Sequence, residues 1–243
     1  FVCDKMKLQT IDEVPMKKVI INCGKGTTDT SFIPLLHHVD VVAITCTEEN
    51  YELYKDCGYP VYVGTSKAIM EPRTAEPVKV LTETKAWDVM LHTEDYEIVS
   101  LGAMTNIAIA LVRKPELKET IRRIVMVGGS AKSGDVTPFA EKSVYDDPFA
   151  ADIVLQSGID ITMLGLDVTK NQTRSKEMLG VIAMLDDKWY TSTHMFVGVE
   201  TYSSKTMGLT VCDVFGKEHR EPNCHVVTAI DADKIHCGRT GGH

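Results

Sequence analysis

The feature that most constrains the fold is a recurrence: short apolar runs of strand length end in glycine or polar turns and are separated by stretches with helical spacing. Val19 to Asn22, Val39 to Thr45, PVYVGT at 60–65, YEIVSLG at 96–102, RRIVMVGGS at 122–130 and IDITMLGLDVT at 159–169 read as strands. Between them, DTSFIPLLHH reads as a short helix ending in His37 and His38. AMTNIAIALVRKPELKETI reads as a helix with Thr105 and Asn106 as caps, and DDPFAADIVLQSG is punctuated by Asp-Pro and Gly. Strands alternating with helices predict an α/β, Rossmann-like architecture with a mostly parallel central sheet and helices on both faces. Ligands in such sheets bind beyond the carboxyl ends of the strands, so the turns after Ile21, Thr45, Val127 and Leu166 are where chemistry is expected.

With 243 residues, 44% of them hydrophobic, the chain is read as a single domain over 1–243. A net charge of −8 gives no electrostatic footprint for nucleic acid, and no apolar run approaches the length of a membrane span. Past residue 170 the pattern weakens to a helix in RSKEMLGVIAMLDD and a short strand in HVVTAI. The chain begins at Phe1, which reads as processing or a fragment. Seven cysteines without a C-x-x-C pair, with Cys3, Cys212, Cys224 and Cys237 free to form disulfides outside the cell, and the Asn171-Gln172-Thr173 sequon leave secretion and a cytoplasmic location both open. His219, Cys224, His225, His236, Cys237 and His243 have metal-binding side chains but no zinc spacing.

The first turn, VIINCGKGTTDT at 19–30, invites a phosphate-loop reading, but the full G-x-x-x-x-G-K pattern would need glycine where Val19 stands inside the strand. Its context points elsewhere. KKVIINCGKGTTDT, VVAITCTEEN, SLGAMTNIAIAL, the long stretch from RIVMVGGS through DVTPFAEKSVYDDPFAAD to GLDVT, and the later TVCDVFG and CGRT together resemble the inosine-uridine-preferring nucleoside hydrolase family. The resemblance implies the nucleoside hydrolase fold and hydrolysis of the N-glycosidic bond of ribonucleosides. In that reaction a calcium ion holds the water, a carboxylate takes its proton, and polar groups clasp the ribose.

Carried over residue by residue, the resemblance implies a damaged site. The aspartate-rich signature D-x-D-x-G-x-D-D falls on Asn22, Gly24, Thr28 and Asp29. Gly24 therefore stands where metal ligand and general base are expected, so no catalytic residue is assigned. Asp29, Asp213 and the carbonyl of Met126 remain as metal ligands. Thr28, Asn50, Asp135, Glu141 and Ser143 fall on ribose contacts, and Cys212 replaces a histidine. Tyr190, His194 and Tyr202 are the candidates to stand over a nucleobase, and no counterpart of the family's H-G-x-D-G-L loop is found in residues 71–88.

Calcium is accordingly expected to be weakened or lost, with Lys25 beside Gly24 opposing a cation. The expected function is a non-catalytic scaffold or weak nucleoside or ribose binder. The alternative is an active hydrolase in which Asn22, Asp29, Asp213 and Asp167 rebuild the shell. Bland roles compete: Asp29 and Asp213 as caps, Glu141 as a surface carboxylate, and Asp167 as a turn residue. The partner implied is a small nucleoside, and a homo-oligomer is implied by the resemblance alone.

Overall fold

The computed structural model describes residues 16–70 and 85–235. In chain order the elements are β1 (Lys18–Cys23), β2 (Asp40–Thr47), α1 (Tyr51–Tyr54), β3 (Val61–Gly64), α2 (Lys85–His92), β4 (Tyr96–Ser100), α3 (Thr105–Arg113), β5 (Ile121–Val127), α4 (Lys142–Tyr145) and α5 (Pro148–Leu155). They continue with β6 (Ile161–Leu164), α6 (Leu166–Thr169), α7 (Lys176–Leu185), β7 (Tyr190–Met195), β8 (Val197–Val199), β9 (Thr210–Cys212) and β10 (Cys224–Ile230). Among the described residues eight strands form one sheet in the order β3-β2-β1-β4-β5-β6-β10-β7, while β8 and β9 make a separate antiparallel ribbon. Every neighbouring pair in the large sheet is parallel except β10 and β7.

The two-residue period of the strands sorts the core into two layers. Ile20, Ala43, Ile98 and Ile124 face one side, where α2, α3 and α5 cover them through Met90, Ile107 and Val154. Ile21, Ile44, Val99 and Val125 face the other, against Phe32, Leu36, Tyr54 and the α7 residues Leu179 and Ala183. Both faces are buried, which is why the strands read as continuous apolar runs rather than alternating ones.

The short helix expected in DTSFIPLLHH is present as a 3-10 segment over Ile33–His38, whereas two other readings need correction. LDVT is the single turn α6 rather than the end of a strand. Thr105 and Asn106 are not caps: α3 follows Met104 with no side-chain cap. The Thr105 hydroxyl instead donates to Asp147 Oδ2 at 2.7 Å, and Asn106 Oδ1 accepts the Thr65 N–H at 3.1 Å. Long-range polar bonding took both side chains away from their own helix.

Cys23, Cys46, Cys57, Cys212 and Cys224 are free thiols. The suggested disulfide partners Cys3 and Cys237 lie outside the described residues. Of the terminal metal-like cluster, His236, Cys237 and His243 also lie outside them. Cys224 is buried in the core, and His225 stacks on His194 with ring centroids 4.3 Å apart. Among the described residues no helix is long and apolar enough to cross a membrane.

Candidate functional site

The carboxyl ends of β1, β2, β4 and β5 bring most of the expected site residues to one edge of the sheet. Asn22, the last but one residue of β1, is fully buried. It donates to Ser100 Oγ at 3.0 Å and to the Ala103 carbonyl at 3.1 Å, and accepts from Thr45 Oγ1. Both polar atoms of its amide are therefore engaged by the neighbouring strands and the turn after β4.

Beyond Asn22 the chain turns at Gly24, where the β1 and β4 turns meet backbone to backbone. A Cβ on Gly24 would lie 2.4 Å from the Ala103 nitrogen, 2.6 Å from its carbonyl oxygen and 2.8 Å from the Gly102 carbonyl carbon. A Cβ on Gly102 would in turn lie 3.0 Å from the Gly24 Cα. Thr27 Oγ1 locks the two turns by donating to the Leu101 carbonyl at 3.0 Å, and Asn50 donates to the Gly24 carbonyl at 3.1 Å. Asn50 is 5% exposed, so it serves the turn's backbone from beneath.

Thr28 is exposed, and Asp29 is half-buried. Asp29 Oδ1 accepts the Ser31 N–H at 2.7 Å, an Asx turn leading toward the 3-10 segment. Partial burial pulls the Asp29 pKa up, but hydrogen bonds from Ser175 and Ser31 outweigh it and hold the carboxyl below the ordinary aspartate value. Ser175 is the N-cap of α7, and its Oγ lies 3.2 Å from Ser31 Oγ.

The loop from β5 to α4 carries the other expected sugar contacts. Glu141, which one reading placed on the surface, is 2% exposed and caps α4. Its Oε2 accepts the N–H groups of Gly129 at 3.0 Å and Ser143 at 2.9 Å, while Oε1 accepts Ser143 Oγ at 3.1 Å. Lys176 Nζ, from the first turn of α7, lies 3.3 Å from Glu141 Oε1. Asp135 is exposed, with Oδ1 accepting the Lys142 N–H at 2.9 Å. Glu141 and Ser143 thus form one bonded pair held by Lys176, Asp135 ties the loop to the Lys142 backbone beside them, and Ser175, next to Lys176, reaches Ser31 of the opening turn. Glu177, next along α7, is 7% exposed, and burial, with Asp29 and Glu141 adding to it, pushes its pKa up.

Of the remaining candidates, Met126 lies in the Asn22 and Ser100 register row, and the others close turns or lie on other elements. Met126 is buried in β5, in register with Ser100 and Met163. Asp213 follows β9 and closes its own turn, accepting the Lys217 N–H at 2.7 Å and the Glu218 N–H at 2.8 Å. Slight burial raises its pKa, but those backbone N–H groups win and hold it low. Asp167 accepts from Ser130 Oγ at 3.1 Å and the Ala131 N–H at 2.6 Å, the turn role foreseen for it. Tyr190 and His194 lie on β7, the antiparallel edge beyond β10, and Tyr202 is 90% exposed. Among the described residues no group of three or more His, Cys, Asp or Glu side chains is placed to hold a metal ion. The sequence missed Gly102, Ser31, Ser175 and Lys176. The only local signal for the last two is Ser175 three residues before Met178, a helix-start spacing.

Comparison with known proteins places this architecture. The family model described as inosine-uridine preferring nucleoside hydrolase matches residues 19–180. The pyrimidine-specific ribonucleoside hydrolase RihA of Escherichia coli K12 is 34% identical over 205 residues, covering 68% of this chain and 66% of the relative. RihA of Citrobacter koseri is 33% identical with the same coverage. The chain thus spans just under two thirds of these relatives' length. Among solved structures, a plant nucleoside hydrolase superposes with a TM-score of 0.73 at 21% identity, covering 91% of this chain and 96% of that one. The purine-preferring ribonucleoside hydrolase of Gardnerella vaginalis gives 0.69 at 23% identity, covering 90% and 95%. At these identities the superpositions speak for a shared fold.

Proposed function

Because the chain belongs to the inosine-uridine preferring nucleoside hydrolase family, we propose that it keeps the family scaffold without calcium-dependent hydrolysis. The observation that carries this reading is the seam between Gly24 and Gly102. At the position that should supply both a metal ligand and the proton acceptor there is no side chain, and the space a side chain would enter is filled by the backbone of Gly102 and Ala103. The other expected ligands support it. Asp29 and Asp213 each close a local turn, and Glu141, Ser143 and Asn50 bond within the protein. A cation that needs 6 to 8 oxygens, several of them charged, finds a poor donor set here. The residues do not fit calcium.

The identity to the pyrimidine-specific ribonucleoside hydrolases favours the second reading, an active ribohydrolase. One pair of measurements separates the two. Uridine, cytidine and inosine with millimolar calcium are expected to release no ribose above the buffer rate in a reducing-sugar assay. Calcium at ten times a millimolar Kd would stabilise a binding-competent protein by about 1.4 kcal/mol. That corresponds to a melting shift of roughly 3–5 °C for a chain of this size, and no such shift is expected. Calcium-dependent ribose release that disappears in Asp29→Ala would overturn the proposal.

A further inference from the structure

We infer that the sugar-side carboxylate of this fold lines a cation niche and that Lys176, carried in by α7, is its tethered occupant. This rests on the reading that calcium has no place here, and begins from Glu141. A carboxylate at 2% exposure needs compensating charge as well as hydrogen bonds, because desolvating an ion is costly even when its lone pairs are filled. Backbone N–H groups and Ser143 fill the lone pairs, and the positive charge comes from Lys176 at 3.3 Å. Lys142, next to Glu141 in sequence, is engaged elsewhere: its ammonium is held by both oxygens of Asp146 at 2.7 and 2.8 Å.

The position of Lys176 in its own helix strengthens the case. It is the first residue of α7, directly after the cap Ser175. A cation there opposes the helix dipole, and the adjacent Glu177 together with Glu141 beyond the helix offsets it. The same turn is fastened to the opposite loop through Ser175 and Ser31. The α7 terminus therefore joins the β1 turn to the β5 loop, and the ammonium sits on the carboxylate expected to meet ribose. About one third of the Lys176 side chain is exposed, so its place is open to exchange from solvent. The ligand class is a small cation with N–H donors, a primary ammonium.

Chemical rescue tests this. Lys176→Ala should lower the melting temperature by about 3–6 °C, the loss expected for a charged hydrogen bond. Methylammonium chloride should restore at least half of that drop, whereas tetramethylammonium chloride at equal ionic strength, which has no N–H to donate, should not. Wild type should respond equally to both salts, and Lys176→Arg should melt close to wild type. Equal response of Lys176→Ala to the two salts would overturn the niche. If that variant does not fold, Lys176→Gln and Glu141→Gln are combined: strict additivity of their melting shifts would overturn the proposal, and non-additivity would support it. A calcium-induced shift in wild type would instead overturn the non-catalytic reading, and the amine experiment would still decide the niche.

Discussion

Replacing Gly24 by aspartate, the residue that the family resemblance implies at this position, is expected to destabilise the protein strongly rather than to give it activity. The obstacle precedes the charge. The first added atom would sit 2.4 Å from one backbone nitrogen and 2.6 Å from a backbone oxygen, and neither belongs to a flexible side chain that could turn away. Relief requires the β4 turn to move, breaking the bond from Thr27 to the Leu101 carbonyl and displacing Ala103 from Asn22. Overpacking against fixed backbone of this kind costs about 3 kcal/mol or more. Gly24→Ala should lose nearly as much as Gly24→Asp, since the shared Cβ does the damage. Urea denaturation measures both. A Gly24→Ala protein with wild-type stability would show that the seam opens easily and would remove the main support for the non-catalytic reading.

Asp147→Ala is the other substitution expected to have a large effect. This carboxylate is fully buried and ties three segments together. Its Oδ2 accepts from Thr105 Oγ1 at 2.7 Å and the Ile69 N–H at 2.9 Å, and its Oδ1 caps α5 through the Ala150 N–H at 3.0 Å. Truncation removes a helix cap and leaves buried donors unpaired, an expected loss of about 3–5 kcal/mol in denaturant unfolding. A loss below about 1 kcal/mol would mean that water replaces the carboxylate without difficulty.

The same residue gives a pH signature. Burial raises the Asp147 pKa more than the bonds from Thr105, Ala150 and Ile69 lower it, so the carboxyl stands above the ordinary aspartate value. A folded-state pKa above the unfolded one means the folded protein holds the proton longer. The stabilisation from this group is then complete below the unfolded pKa and is lost as pH rises through the folded one. Asp147→Asn cannot titrate. The melting temperature of wild type relative to Asp147→Asn should therefore climb as pH falls from neutral toward about 3.9. A difference that stays flat across that window would contradict the assignment.

Much of the sheet was legible because its strands are buried on both faces and announce themselves as apolar runs; β1, β4 and β5 stand where KVIINC, YEIVS and IRRIVMV put them. β7 was not legible. Tyr190–Met195 is a polar segment whose middle residues are exposed, so it has neither an apolar run nor a regular alternation to betray it. At the site, the sequence singled out Gly24 but not its backbone packing, because Gly102 lies far along the chain and only the fold brings the two together. Thr105 and Asn106 carried strong local cap chemistry and were recruited by Asp147 and Thr65 instead. Glu141 had no local sign of burial; its environment is assembled by Gly129, Ser143 and Lys176 from three separate segments.

The strand order also governs how the protein is made. From β3 through β6, every strand of the sheet is synthesised before β7 and β10, so that part can assemble first as the chain leaves the ribosome. β7 is synthesised well before β10, yet β10 is its sheet partner and separates it from β6. Until Cys224–Ile230 has emerged, the β6 edge and the whole of β7 present unpaired backbone, and such edges recruit other chains. Any product ending before residue 224 would keep both edges open for good. β10 is thus the strand that covers the β6 edge and pairs β7, shielding the nascent chain from its neighbours.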